Sequence, residues 1–193
     1  ITGFFFALMT TEFSVQATQA SFNPYTKDSV NLTDWLIQPF FGNTAVILLM
    51  LCPALSMRLF AEDRKNRSLE LLLSSPLSSG QIVVGKFIGV MCFVLVLLAA
   101  TLPCIALLYW FGSPDTGVLA ASYLAMVMMA ASFLSLGMLA SASTENQVVA
   151  LVMSFGLLLV LWVLSWANTI AGPGLGEVLA YLSMLTHIEQ LTK

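Results

Sequence analysis

The sequence predicts an all-α polytopic membrane protein, and three observations carry that prediction. The chain has 193 residues, of which 59% are hydrophobic and only 9% charged. Its mean hydropathy is +0.92, far from the composition of a soluble domain. Several apolar runs exceed the roughly 18 residues that a helix needs to cross a hydrocarbon core. These runs are continuously apolar rather than alternating, which argues against a β-barrel, whereas a helix satisfies its own backbone groups in lipid.

Four full spans can be marked, at 35–57, 82–109, 118–139 and 148–166. The apolar run at 1–9 is too short to cross and is expected to be the end of a first span, with 10–34 a loop after it. The span at 82–109 is longer than a bilayer requires, so tilt or a break at Pro103 is expected. Lys86 lies one turn inside the start of that span, close enough to snorkel to the interface. Gly85 and Gly89 stand four apart and form a small-residue pair suited to helix packing; Ser132, Ser135, Gly137 and Ala140 give the next span a similar strip. Two helix starts have the spacing of a capping box, Ser78 to Gln81 and Thr144 to Gln147.

Charge is concentrated in one place. Seven charged residues fall between Arg58 and Glu70, in a chain with only seven basic and ten acidic residues. Five of the basic ones, Arg58, Arg64, Lys65, Arg67 and Lys86, lie in or beside the connection at 58–81. That connection is therefore expected on the cytoplasmic side. Alternation then places 10–34 and 167–193 outside. Read as helix, Arg58 with Glu62 and Asp63 with Arg67 are opposite charges four residues apart. Each pair is worth only about 0.2–0.5 kcal/mol if exposed, so the charges carry the helix into water more than they hold the fold. Ser68 is a plausible new N-cap with Glu70 in its first turn. Leu69, Leu72 and Leu73 form an apolar stripe before Pro76 stops the helix. A short amphipathic helix lying along the membrane and joined to two spans suits force transfer from a cytoplasmic partner, and its composition suits an inert interfacial helix equally well.

Other features carry less. A net charge of −3 with no basic stripe gives no ground for nucleic acid as a partner. Cys52, Cys92 and Cys104 sit in apolar runs and read as small buried hydrophobes. His187, the only histidine, has Glu189 nearby but no metal-ligand spacing, and reads as a surface histidine. The methionines of the 118–139 span read as packing. In the last segment, Gly172-Pro173-Gly174 reverses the chain, and Val178, Leu179, Leu182 and Leu185 recur at helical spacing. The expectation there is a short interfacial or re-entrant helix on the outer side, with a further span after it.

The charged island resembles the signature of the ABC-2 type permeases. The matching residues are Met57-Arg58, Ala61-Glu62-Asp63-Arg64, Ser68-Leu69-Glu70-Leu71-Leu72-Leu73, Pro76 and Gly85-Lys86. Phe111-Gly112-Ser113-Pro114-Asp115, Ser143-Thr144-Glu145-Asn146-Gln147 and Tyr181-Leu182-Ser183-Met184-Leu185-Thr186-His187 are similar to the branch containing the gliding-motility-associated permeases. The resemblance implies a type V exporter-like transmembrane domain of about six helices, pairing with a second copy or a related permease in the bacterial inner membrane. It further implies that a separate ATPase subunit couples through Arg58, Glu62, Asp63, Arg64, Arg67, Ser68, Leu69, Glu70, Leu72 and Leu73. The chain has no Gly-x-x-x-x-Gly-Lys-[Ser/Thr] phosphate loop, so ATP and Mg would sit on that partner and this chain would bind no cofactor. The apolar spans, facing membrane lipids, suit a lipid, a lipid-linked sugar or a drug as cargo alike.

Three competing readings remain. A secondary transporter or channel usually carries ionisable residues at mid-membrane, and the interiors of the four spans contain none. An intramembrane enzyme would need a catalytic or metal constellation, for which His187 alone is no basis. A non-transporting anchor for a mechanically acting ATPase would carry the same coupling helix.

Overall fold

The long apolar runs fold as helices, and the computed structural model describes residues 2–22, 36–65, 78–111 and 116–170 of the chain. They form α1 (Thr2–Phe22), α2 (Gln38–Lys65), α3 (Ser79–Ala99), α4 (Leu102–Phe111), α5 (Thr116–Ala142) and α6 (Gln147–Ile170). No strand occurs among the described residues. Three segments there are long and apolar enough to cross a membrane, Gln38–Lys65, Ser79–Leu107 and Thr116–Ala142, with Gln147–Val163 a shorter apolar helix. The expected interfacial helix after Gly172 lies outside the described residues.

The first helix does not stop at Met9. It continues through Phe22, across residues whose polarity alone suggests a loop. Their hydroxyls turn back onto the helix. Thr10 donates to the Phe6 carbonyl at 2.7 Å, Thr11 to Leu8 at 2.6 Å, Ser14 to Thr11 at 2.7 Å and Thr18 to Ser14 at 2.7 Å. A hydroxyl bonded three or four residues back no longer needs water, so the helix tolerates it.

α2 likewise outlasts its expected end at 57 and carries the first charges as a helical extension to Lys65. The span expected at 82–109 is broken, and Pro103 explains where. Its ring would collide with the carbonyl four residues back, at Ala99, and it has no N–H to give. Ala99 is the last residue of α3, and Pro103 sits in the first turn of α4, where no N–H is needed.

Lipid tails are as apolar as leucine, so close packing rather than water exclusion holds such helices together. α2 and α5 pack along each other at the centre; both also pack on α6 and α3, and α1 lies on α2. The closest approach is at Gly137. A Cβ there would stand 2.1 Å from Ser56 Oγ and 2.7 Å from Ser56 Cβ, so only glycine fits. At the end where α2 and α5 begin, aromatic edges lock the helices. Phe6 meets Phe40 at 5.6 Å between centroids, and Phe41 meets Tyr123 at 5.1 Å and 89°. Tyr123 Oη also lies 2.8 Å from Thr101 Oγ1, which ties the α3–α4 break to α5.

Candidate coupling site at the charged end

Four helix ends meet about 35 Å along α2 from the aromatic contacts, given 1.5 Å per residue. They are the C-terminal turns of α2 and α5 and the N-terminal turns of α3 and α6. Helical periodicity sorts the α2 extension. Ala61 is fully buried toward α5, Asp63 is half-buried toward α3, and Arg58, Glu62, Arg64 and Lys65 are exposed. A small side chain at Ala61 lets the extension lie flush on the bundle.

The start of α3 is fixed by the capping box. The Ser78 amide donates to Gln81 Oε1 at 2.9 Å, and the Gln81 amide donates to Ser78 Oγ at 3.4 Å. The similar spacing at Thr144 forms a different cap. The Val148 amide donates to Asn146 Oδ1 at 2.9 Å, while Thr144 Oγ1 accepts from the Asn146 amide at 3.2 Å. Asn146 therefore caps α6, with Thr144 shaping the preceding turn.

Lys86 reaches sideways onto α2. Its ammonium donates to the Leu59 carbonyl and to Asp63 Oδ2 on α2, and stands 4.8 Å from the Phe60 ring centroid. Among the described residues, the ion pair that forms is this one between helices, rather than Arg58 with Glu62 within α2. An exposed pair along a helix gains little. A lysine emerging from an apolar span has every carbonyl and carboxylate within reach as an incentive to turn sideways.

The remaining sequence-predicted residues divide. Arg67, Ser68, Leu69, Glu70, Leu72 and Leu73 lie outside the described residues. At Gly85 and Gly89, no other helix among the described residues comes within 4 Å of where a Cβ would stand. Two concavities flank the extension. A polar one of about 430 Å³ is bordered by Lys65 and by Thr144, Glu145, Asn146, Gln147 and Val148. An apolar one of about 460 Å³ lies between Phe60, the Val83, Val84 and Phe87 face of α3, and Met138 and Leu139 of α5.

Sequence reasoning missed Ser141. It lies under the root of the extension, where its hydroxyl bonds the backbone of α2 at Met57, Phe60 and Ala61. The available signal was Gly137 and Ser141, four apart on α5, facing Ser56 and Ala61 on α2.

A bundle of apolar helices, with large hydrophobic side chains outward and every described charge but Glu12 gathered at one end, defines an integral membrane protein of the helical, polytopic class. The family model described as ABC-2 family transporter protein matches residues 4–193, and the chain belongs to that family. It is accordingly a membrane component of an ABC transporter. No curated protein and no solved structure matches it.

Proposed function

We propose that this chain is the permease subunit of an ATP-driven exporter in a bacterial inner membrane, within the gliding-motility-associated branch of its family. A separate ATPase subunit, holding ATP and Mg, docks on the cytoplasmic segment 58–81, and a second permease copy or a related one completes the path. The exposed Arg58, Glu62 and Arg64 receive the ATPase together with Arg67, Ser68, Leu69, Glu70, Leu72 and Leu73, while Asp63 anchors the surface to α3. Gly85 and Gly89 offer an open small-residue face for packing against another helix.

The single observation supporting this reading is the continuity of α2. One 28-residue helix passes from the aromatic contacts to the charged end, continuing through the buried Pro53, which withholds one backbone bond without ending the helix, and Lys86 braces that end against α3. A push on the extension is therefore not absorbed by a loop. The basic residues at this end favour the cytoplasmic side.

The test is affinity purification of the tagged chain from native membranes in mild detergent. An ATPase subunit is expected to co-purify with the wild type. Glu70→Lys and Leu72→Asp should insert normally but lose most of the bound ATPase and its activity. Undiminished recruitment and activity in both variants would overturn the proposal.

A further inference from the structure

Six hydroxyl side chains are buried among the described residues: Thr44, Ser56, Thr101, Ser122, Ser141 and Ser154. Five of them donate to a carbonyl three or four residues back in their own stretch of chain. That is the ordinary way to hide a hydroxyl in an apolar bundle. Ser141 breaks the pattern. Its Oγ donates to the Met57 carbonyl of α2 at 3.0 Å and accepts from the Phe60 and Ala61 amides, each at 3.1 Å.

Those three partners span the turn in which α2 leaves its apolar stretch and becomes charged. Four residues earlier on α5, Gly137 is pressed against Ser56 of the preceding α2 turn. Ser141 has no exposed surface, so water is not at hand to replace any of these bonds. Tilting the extension away from α5 would break all three bonds at once and strip the buried Ser141 hydroxyl of its partners in an apolar setting, which is costly. Tilting both together breaks nothing. α5 in turn packs against α3 and α6.

We propose that Ser141 is a positioning residue that makes the charged extension of α2 and the C-terminal end of α5 move as one body. Displacement of the extension then enters the bundle through α5 instead of bending α2 at its root. This rests on the reading that an ATPase subunit acts on that extension.

The test is hydrogen exchange by mass spectrometry on the permease purified with its ATPase subunit, with and without trapping by ATP, Mg and vanadate. In the wild type, trapping should change exchange across residues 135–142 as well as across 58–65. Ser141→Ala should still recruit the ATPase and still respond across 58–65, but lose the response across 135–142. Its Phe60 and Ala61 amides should exchange about tenfold faster without nucleotide, for two lost bonds of ordinary strength. Ser141→Thr, which keeps the hydroxyl, should restore both; if its methyl prevents insertion, Ser141→Cys serves as the intermediate donor. If the wild type recruits no ATPase, the reading beneath this inference fails and takes it along. Recruitment with an unaltered 135–142 response in Ser141→Ala, or with no such response in the wild type, overturns the inference alone.

Discussion

Asp63 and Lys86, 23 residues apart in sequence, close an ion pair between α2 and α3 in which each side chain keeps 23% of its surface accessible. Partial shielding makes such a pair worth more than a fully exposed one, yet spares it the full cost of burying two charges. Lys86→Met keeps the stem but removes the charge and all its donors. It should lower stability by about 1–2 kcal/mol, as two charge-assisted bonds and a cation–π contact are lost and Asp63 loses this partner. A double-mutant cycle with Asp63→Asn, read by thermal unfolding in detergent, should return a coupling of about 1 kcal/mol. Additive effects would mean that the two residues do not interact in solution.

Gly137 offers a sharper case. Gly137→Ala places a carbon inside Ser56 and should cost about 1–3 kcal/mol through overpacking. The diagnostic variant is the pair Gly137→Ala with Ser56→Gly, which removes both atoms in conflict. It should recover much of the stability lost in the single change. A double variant no better than Gly137→Ala would show that the strain arises elsewhere.

The Tyr123 side chain makes two separable contacts, a ring edge on Phe41 and a hydroxyl on Thr101. Tyr123→Phe keeps the first and should cost about 0.5–1.5 kcal/mol, the net worth of one hydrogen bond. Tyr123→Ala removes both and the packing volume, and should cost about 3–5 kcal/mol. Equal losses in the two variants, measured by denaturant titration in mixed micelles, would refute the division.

At the start of α6, Asn146→Ala should destabilise by about 1 kcal/mol as the cap is lost. Thr144→Ala removes only a turn contact and should cost less than half as much. Exchange rates of the Val148 amide decide between them, since its acceptor is Asn146 Oδ1. Faster exchange of the Gln147 amide in the threonine variant alone would restore the capping box that the sequence suggested, since that amide is the donor such a box requires.

Glu62 and Glu145 both stand exposed near the charged end, so cysteines replacing them should react with a membrane-impermeant maleimide from one and the same side. The background should carry Cys92→Ser and Cys104→Ser, because Cys92 is exposed. Labelling from the cytoplasmic face alone is expected from the basic residues. Labelling of the two positions from opposite faces would contradict the shared end.

The parts of this molecule that depend on composition along the chain were readable from it. Apolar length gave the helices from α2 to α6, and the restrictions that proline imposes explain the break after Ala99. What stayed hidden depends on direction and on distant partners. Polarity at Thr10, Thr11, Ser14 and Thr18 reads as a loop unless the hydroxyls are known to turn inward. Lys86 was legible as a lysine near an interface, but its sideways reach to Leu59 and Asp63 depends on how α3 sits on α2. Ser141 meets residues 80 to 84 positions away, and its spacing from Gly137 marks a packing face without showing that its hydroxyl bonds across it.

The inward-turned hydroxyls of α1 bear on how deep that helix can sit in a bilayer. A transfer scale charges Thr10, Thr11, Ser14 and Thr18 for four donors stripped of water, yet each donor already rests on a carbonyl of the same helix. Their outward surface is largely methyl and methylene. What resists immersion is instead the single carboxylate in this stretch, Glu12, which is exposed and costly at the centre of a bilayer. The vertical position of α1 should therefore be set by one charged side chain, and a neutral Glu12→Gln would let the helix settle toward the hydrocarbon without any change in its winding.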